Sequence, residues 1–261
     1  MELGIQGKIA FVGGASQGLG RAVAEALADA GCRLAICARN PERLQQTQQA
    51  LQQKTEVLAI PGDLSKKEDV DRIIQAVKAH YEHVDILVSN TGGPRSATFF
   101  EVTDEDWQQA FDLLFMSAWR LTRAFIDDMI ENRWGRIVYL TSLTVKQPIG
   151  HLILSNSIRL AIVGMAKTLS NDVADKGVTV NCIATGMHRT DRIIDLLKAQ
   201  AVRTGQPIEE LEKAFYQAIP ARRLGEPREL ADLVAFLASE RAGFITGTTI
   251  QIDGGQIQFV L

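Results

Sequence analysis

"KIAFVGGASQGLGRAVAEALADAG", residues 8–31, decides the fold of this chain. Its opening run, "KIAFVG" (8–13), is nearly continuous in apolar residues, as suits a strand covered on both faces. The run leads straight into a turn carrying Gly14, Gly18 and Gly20 in the spacing Gly-x3-Gly-x-Gly, and the turn opens a helical pattern over 18–30. Glycines let a backbone come close to a pyrophosphate, and a helix N-terminus supplies N–H groups and positive potential. A glycine pattern alone is weak, since turns are glycine-rich anyway. The strand before it, the helix after it and its place in the first βαβ unit point to nucleotide binding. Gly14, Ser16, Gln17, Gly18, Leu19 and Gly20 are then the turn residues expected at the cofactor.

The same alternation continues to the end of the chain. Buried strands are expected at 32–38, 56–63, 84–90, 135–142, 178–184 and 248–253. Helical patterns fall at 41–53, 66–82, 103–131, 153–175, 190–218 and 227–239. Regular strand–helix alternation specifies an α/β fold, a Rossmann-type doubly wound parallel sheet of about seven strands with helices on both faces. No Pro/Gly/Ser-rich linker interrupts it, so residues 1–261 read as one domain. The glutamine-rich stretch 45–53 reads as a solvated helix, with Leu44 and Leu51 on its apolar face. Residues 187–222 form a longer helical insertion after the end of a strand, where ligands bind in open sheets, and are a candidate substrate lid.

Bulk composition narrows the class. The net charge is −3, with 46% hydrophobic and 23% charged residues and no basic run, which argues against nucleic acid or an anionic membrane surface as partner. Cys32, Cys37 and Cys182 lie in apolar runs without metal-type spacing and read as core residues of a reducing compartment. His80, His83, His151 and His188 form no ligand cluster, so no metal is expected. With neither a signal peptide nor a run of roughly 20 apolar residues, a cytoplasmic, non-membrane protein is expected.

The second strand ends in "CARNPERL" (37–44), with Ala38 where an NAD site often places an acid, followed by Arg39. A guanidinium can clasp a 2′-phosphate through paired hydrogen bonds, so NADP(H) is expected rather than NAD(H); the plain alternative is a solvated arginine at a strand end.

Together "GGASQGLG" (13–20), "GDL" (62–64), "SNTGG" (89–93), "TGMHRT" (185–190) and the terminal "ITGTTIQIDGG" (245–255) resemble the short-chain dehydrogenase/reductase family over essentially the whole chain. The resemblance implies that Asp63, with Leu64 beside it, contacts the adenine, that Asn90 and Gly92 line the cofactor cleft, and that Thr190 holds the nicotinamide carboxamide. Gly13 stands for the usual threonine and Thr185 for the usual proline.

The resemblance also implies a catalytic asparagine, serine, tyrosine and lysine. In such members tyrosine protonates the carbonyl oxygen, serine polarises it, lysine lowers the tyrosine pKa and holds the nicotinamide ribose, and asparagine anchors a water chain. Ser142 matches the serine. The tyrosine and lysine positions, thirteen and seventeen residues on, hold Ser155 and Arg159, and the asparagine position, counted from Trp107, holds Leu114. The flanking "GMAKTLSNDVADKGVTVN" (164–181) keeps family spacing, which leaves no room for a slip. Serine does not ionise near neutral pH, and arginine, charged to above about pH 12, can bind ribose hydroxyls but cannot relay a proton. Ser142, Ser155 and Arg159 could instead form a small cluster that recognises a carboxylate, phosphate or oxyanion. His151, one turn before Ser155, is a possible proton donor, against the plain reading of a loop histidine. Lys146 and His188 border the same expected mouth, while Tyr139 falls on the opposite strand face and reads as packing.

Two functions follow. One is an NADP(H)-dependent oxidoreductase, similar to 3-oxoacyl reductases, with a non-standard site that keeps only Ser142 of the tetrad and acts on a small molecule. The other is a catalytically inactive NADP(H)-binding sensor or assembly partner. Halo-alcohol dehalogenation, a family branch with arginine for lysine, keeps the tyrosine and gives up the glycine loop, the reverse of this chain. Family members pair through helices matching 103–131 and 153–175, so a homotetramer or homodimer is expected.

Overall fold

Parallel strands cannot be joined by tight hairpins, so each must be followed by a crossover, and the helices between the apolar runs serve that purpose. The computed structural model describes residues 2–260, apart from the side chains of residues 192, 195, 196, 199, 200 and 203. The strands are β1 (Ile9–Gly13), β2 (Arg33–Ala38), β3 (Val57–Pro61), β4 (Ile86–Ser89), β5 (Gly135–Leu140), β6 (Val178–Thr185) and β7 (Thr249–Ile252). They form one sheet in the order β3-β2-β1-β4-β5-β6-β7, parallel throughout. Strand order reverses between β1 and β4, which opens a crevice beyond their carboxyl ends.

The helices are α1 (Gly18–Asp29), α2 (Pro41–Leu51), α3 (Lys67–Tyr81), α4 (Asp104–Phe111), α5 (Ser117–Glu131), α6 (Ile153–Val173), α7 (Asp191–Thr204), α8 (Ile208–Gln217) and α9 (Pro227–Leu237). One face of the sheet is covered by α1 and α9, through Val23, Leu27, Leu230 and Val234. The other is covered by α3, α5 and α6, through Val70, Ile73, Phe125 and Ile162. Tyr139 belongs to this second core. Its hydroxyl lies 2.7 Å from Thr122 Oγ1, and burial raises its pKa far above the usual phenol range, so it packs rather than titrates.

Two expected helices are subdivided. The pattern over 103–131 holds α4 and α5 joined by a π-helical stretch at Asp112–Met116. The pattern over 190–218 is broken after Thr204, where Gly205 adopts φ +68° and Pro207 cannot continue the ladder, so α7 and α8 are separate. No described helix is long and apolar enough to cross a membrane. Cys32, Cys37 and Cys182 are buried thiols, each pushed up to about 12 by desolvation.

Candidate active site

The helices α1 and α2, which both open on the crevice, differ at their N-caps. Asn40 Oδ1 accepts from Arg43 N at 2.8 Å at the start of α2. At α1 the N-cap Gln17 is extended, its side chain makes no cap bond, and the first turn carries no acid. The first-turn N–H groups therefore keep their capacity for an anion. They border a cavity of about 720 Å³. Its walls include Gly14, Ser16, Gln17, Gly18, Leu19 and Gly20 from the turn, Arg39 after β2, Asp63 and Leu64 after β3, Asn90 and Gly92 after β4, and Thr190 before α7. Every expected cofactor residue lies in this one cleft except Arg159.

The turn is shaped by what its glycines leave out. Gly14 and Gly18 have φ of +61° and +56°, the left-handed region that side chains resist. A Cβ at Gly20 would strike the Gly14 carbonyl oxygen and come 2.8 Å from Asn90 Nδ2. Asn90 Nδ2 itself donates to Gly13 O at 3.0 Å, tying the β4 end to the β1 end. A Cβ at position 13 would lie 2.6 Å from the Asn90 carbonyl oxygen, so threonine would not fit this backbone and Gly13 does. A cleft that side chains would fill, bounded by uncapped helix N–H groups, fits a dinucleotide.

Arg39 is exposed at the rim. Asp63 Oδ1 is held by the Ser65 N–H at 3.0 Å and the Ser65 hydroxyl at 2.8 Å, which orients the carboxylate at its place in the cleft wall. Asn40, Arg43, Thr91, Leu113 and Asp191 also line the cleft and were not foreseen. Their signal is faint: Asn40-Pro41 announces a helix start, but which residues of its first turn face the cleft depends on the direction of α2.

The chemical end lies beyond β5 and β6. Ser142 caps a 3₁₀ turn at Leu143–Val145, its Oγ accepting from Thr144 N at 3.2 Å. That bond occupies a lone pair and leaves the O–H able to donate. Thr144, which sequence reasoning missed, is buried, with its hydroxyl 3.5 Å from Ser155 Oγ. Ser155 and Arg159 are both buried, one turn apart on α6, and Arg159 Nη1 donates to Leu140 O at 3.0 Å. Arg159 thus reaches the carboxyl end of β5 and is not among the walls of the large cleft. Leu114 is buried within the π-helical stretch, and its neighbour Leu113 reaches the cleft.

His151 stands in an exposed turn and makes no hydrogen bond among the described residues. Lys146 is half-buried at the end of the 3₁₀ turn. His188 lines a separate cavity of about 180 Å³ with Arg223, Glu229 and Asp253. Its Nδ1 lies 3.1 Å from Gly186 O, and burial holds its pKa below the usual histidine value. That placement takes His188 away from the mouth where it was expected.

The model of a family described as enoyl-(acyl carrier protein) reductase matches residues 14–256. The chain belongs to the short-chain dehydrogenase/reductase family. It is 32% identical to the 3-oxoacyl-[acyl-carrier-protein] reductase FabG of Vibrio cholerae over 255 residues, covering 97% of this chain and 98% of that protein. Among solved structures it matches L-sorbose reductase from Gluconobacter frateurii, complexed with NADPH and L-sorbose, with a TM-score of 0.96, 32% identity and full coverage of both chains. YwfH, an NADPH-dependent reductase involved in bacilysin biosynthesis, matches with a TM-score of 0.92 and 29% identity, over 98% of this chain and 100% of that one. As a short-chain dehydrogenase/reductase, the chain is an oxidoreductase by family. Its Thr185 has a local account: Thr185 Oγ1 donates to Thr141 O at 3.0 Å, cross-linking the ends of β6 and β5 where proline could not.

Proposed function

We propose that this chain is an NADP(H)-dependent oxidoreductase whose active site departs from the family pattern at three of four positions. The observation that carries this is the cleft: an uncapped α1 N-terminus and a glycine cradle at one end, Arg39 and Asp63 at the other. The NADPH-bound or NADPH-dependent matches support the choice of cofactor. NADPH, when bound, supplies a hydride at its nicotinamide ring. The turn residues and α1 would hold the pyrophosphate, Asn90, Gly92 and Thr190 the nicotinamide half, and Arg39 the 2′-phosphate.

The protein's own contribution to chemistry is electrostatic. Ser142, one lone pair occupied by the Thr144 N–H, donates a hydrogen bond to an oxygen of the substrate and keeps its proton. Arg159 brings a permanent cation to the same end of the sheet and opposes negative charge developing there. Ser155 sits where the family resemblance places tyrosine and can donate a hydrogen bond without ionising. Such a site suits an acceptor whose reduction needs little acid help, an activated carbonyl, imine or alkene. The FabG likeness makes a 3-oxoacyl compound the first substrate to try. We assign α7 and α8 the role of substrate lid, since they follow β6 at the cleft, with Arg189 joining Tyr216 of α8 and Glu226 before α9. Exposed Trp119 on α5 and Leu160 on α6 support pairing of copies through these helices, as a homodimer or homotetramer. Sedimentation as a monomer would contradict it.

The alternative, an inactive NADP(H)-binding sensor, is favoured by Leu114, which is buried and apolar, and by the exposure of His151. The deciding experiment is single-turnover mixing of the NADPH-loaded protein with a panel of ketones, imines and enoyl compounds. Oxidation of NADPH with any of them, strongly slowed by Ser142→Ala, supports the enzyme. Tight NADPH binding with no oxidation across the panel supports the sensor.

A further inference from the structure

The smaller cavity, of about 180 Å³, lies between the β6–α7 connection, the segment joining α8 to α9, and the turn after β7. His188 lines it and is only 4% exposed. The backbone is pinned on both sides of this residue: Gly225 N donates to Met187 O at 3.0 Å, and Arg189 N donates to Gly225 O at 2.8 Å. Glycine at 225 leaves room for the imidazole, since a Cβ there would lie 2.9 Å from His188 Nε2. A carbonyl can only accept, so the 3.1 Å contact between Nδ1 and Gly186 O places the proton of the neutral ring on Nδ1. Desolvation holds the pKa below the usual histidine value and keeps that ring neutral at pH 7. Nε2 therefore carries a lone pair, and it is buried without a hydrogen-bond partner among the described residues. A buried acceptor left unmet is destabilising, so a donor that reaches it gains more than an exposed one would.

The charged groups of the same wall are already matched. Arg223 joins Glu229 through two bonds of 2.7 Å, and Glu226 N adds a third to that carboxylate at 2.7 Å. Asp253 accepts from Gly255 N at 3.0 Å and from Ile257 N at 2.6 Å. An anion or a cation thus meets no unmatched counter-charge, and the open polar handle is Nε2. Met187, Ala221 and Ile252 add apolar surface, and exposed Ala221 and Arg223 give access from solvent. The volume is several times the roughly 30 Å³ share of one water, and a cavity of about 150 Å³ suffices for benzene. We infer that this cavity is a second binding site, apart from the dinucleotide cleft, for a small uncharged hydroxyl compound of about phenol's size that donates its O–H to His188 Nε2. The inference does not depend on the NADP(H) reading. His188 is the recognising group, and Gly225 keeps its Nε2 accessible.

The test is titration of the unaltered protein with phenol and with toluene, a probe of similar shape that lacks the donor, followed by NMR at the His188 ring nitrogens and the Met187 methyl group. Phenol should shift both sets of signals saturably and bind about tenfold more tightly than toluene, the usual worth of one hydrogen bond. The Nε2 resonance should move as that of a lone pair that gains a donor, a change that apolar packing alone does not produce. His188→Leu should weaken phenol about tenfold and toluene far less. Gly225→Ala, whose methyl group would press on Nε2, should weaken phenol likewise in a chain that keeps the histidine. Equal affinity for phenol and toluene in the unaltered protein would overturn the inference. So would phenol shifts confined to Gly92 and Leu113 of the large cleft, or no saturable shift at His188.

Discussion

Replacing Gly20 with alanine tests the cleft where its geometry is tightest. The added Cβ would strike the Gly14 carbonyl oxygen, with Gly14 C at 2.7 Å and Asn90 Nδ2 at 2.8 Å, distances that real Cβ atoms do not tolerate. Two of these three neighbours are backbone, so relief requires the turn to open rather than a side chain to swing aside. Overpacking of this kind costs about 1–3 kcal/mol. Displacement of Asn90 would also break its bond to Gly13 O, worth about a further 1 kcal/mol. The expected loss is about 2–4 kcal/mol of folding stability, read from urea denaturation, together with at least tenfold weaker NADPH binding. Gly18→Ala is the internal control. Its Cβ would meet only Thr190 Cγ2 at 3.4 Å and Thr190 Cβ at 3.6 Å, so its cost is the left-handed φ of +56°, about 1–2 kcal/mol. If Gly20→Ala is no less stable than Gly18→Ala and still binds NADPH normally, the packing account of the cradle is wrong.

Other outcomes follow from the same geometry. Ser142→Ala should lower the rate of hydride transfer by about 10²–10³-fold, the usual cost of one oxyanion donor, with NADPH affinity kept; stopped-flow mixing measures both. The double change Ser155→Tyr with Arg159→Lys should introduce generic ketone reduction if the remainder of the pocket is competent, read as NADPH oxidation with simple ketones. His188 is held neutral by burial, with a folded pKa below the ordinary 6.5. Its contribution is therefore present above that value and is lost as pH falls toward the folded pKa, because the unfolded chain takes up the proton first. His188→Leu should flatten stability against pH in that acid range, as urea midpoints at stepped pH would show, and an unchanged slope would contradict the burial argument.

Local chemistry was enough for the frame and for the glycine turn that borders the cleft. Apolar runs such as "KIAFVG" and "GRIVYL", short and bounded by turn residues, read as strands covered on both faces, and the Gly14–Gly20 spacing next to the first of them sets the cleft. These features were legible because they depend on neighbours a few residues away. The subdivision of the region after Thr190 was also written locally, in Gly205 and Pro207, but helical periodicity on both sides masked it. The remaining features needed the folded chain. Only the packing of α2 against the glycine turn brings Arg43 to Gln17, which lies twenty-six residues away in sequence. Folding of the turn after β5 sets Thr144 beside Ser155 and directs its N–H to Ser142. The β6–α7 connection carries His188 into the smaller cavity rather than the mouth. Periodicity reports which face of an element is buried; which distant hydroxyl, carbonyl or cation meets it there is decided by how the elements are stacked.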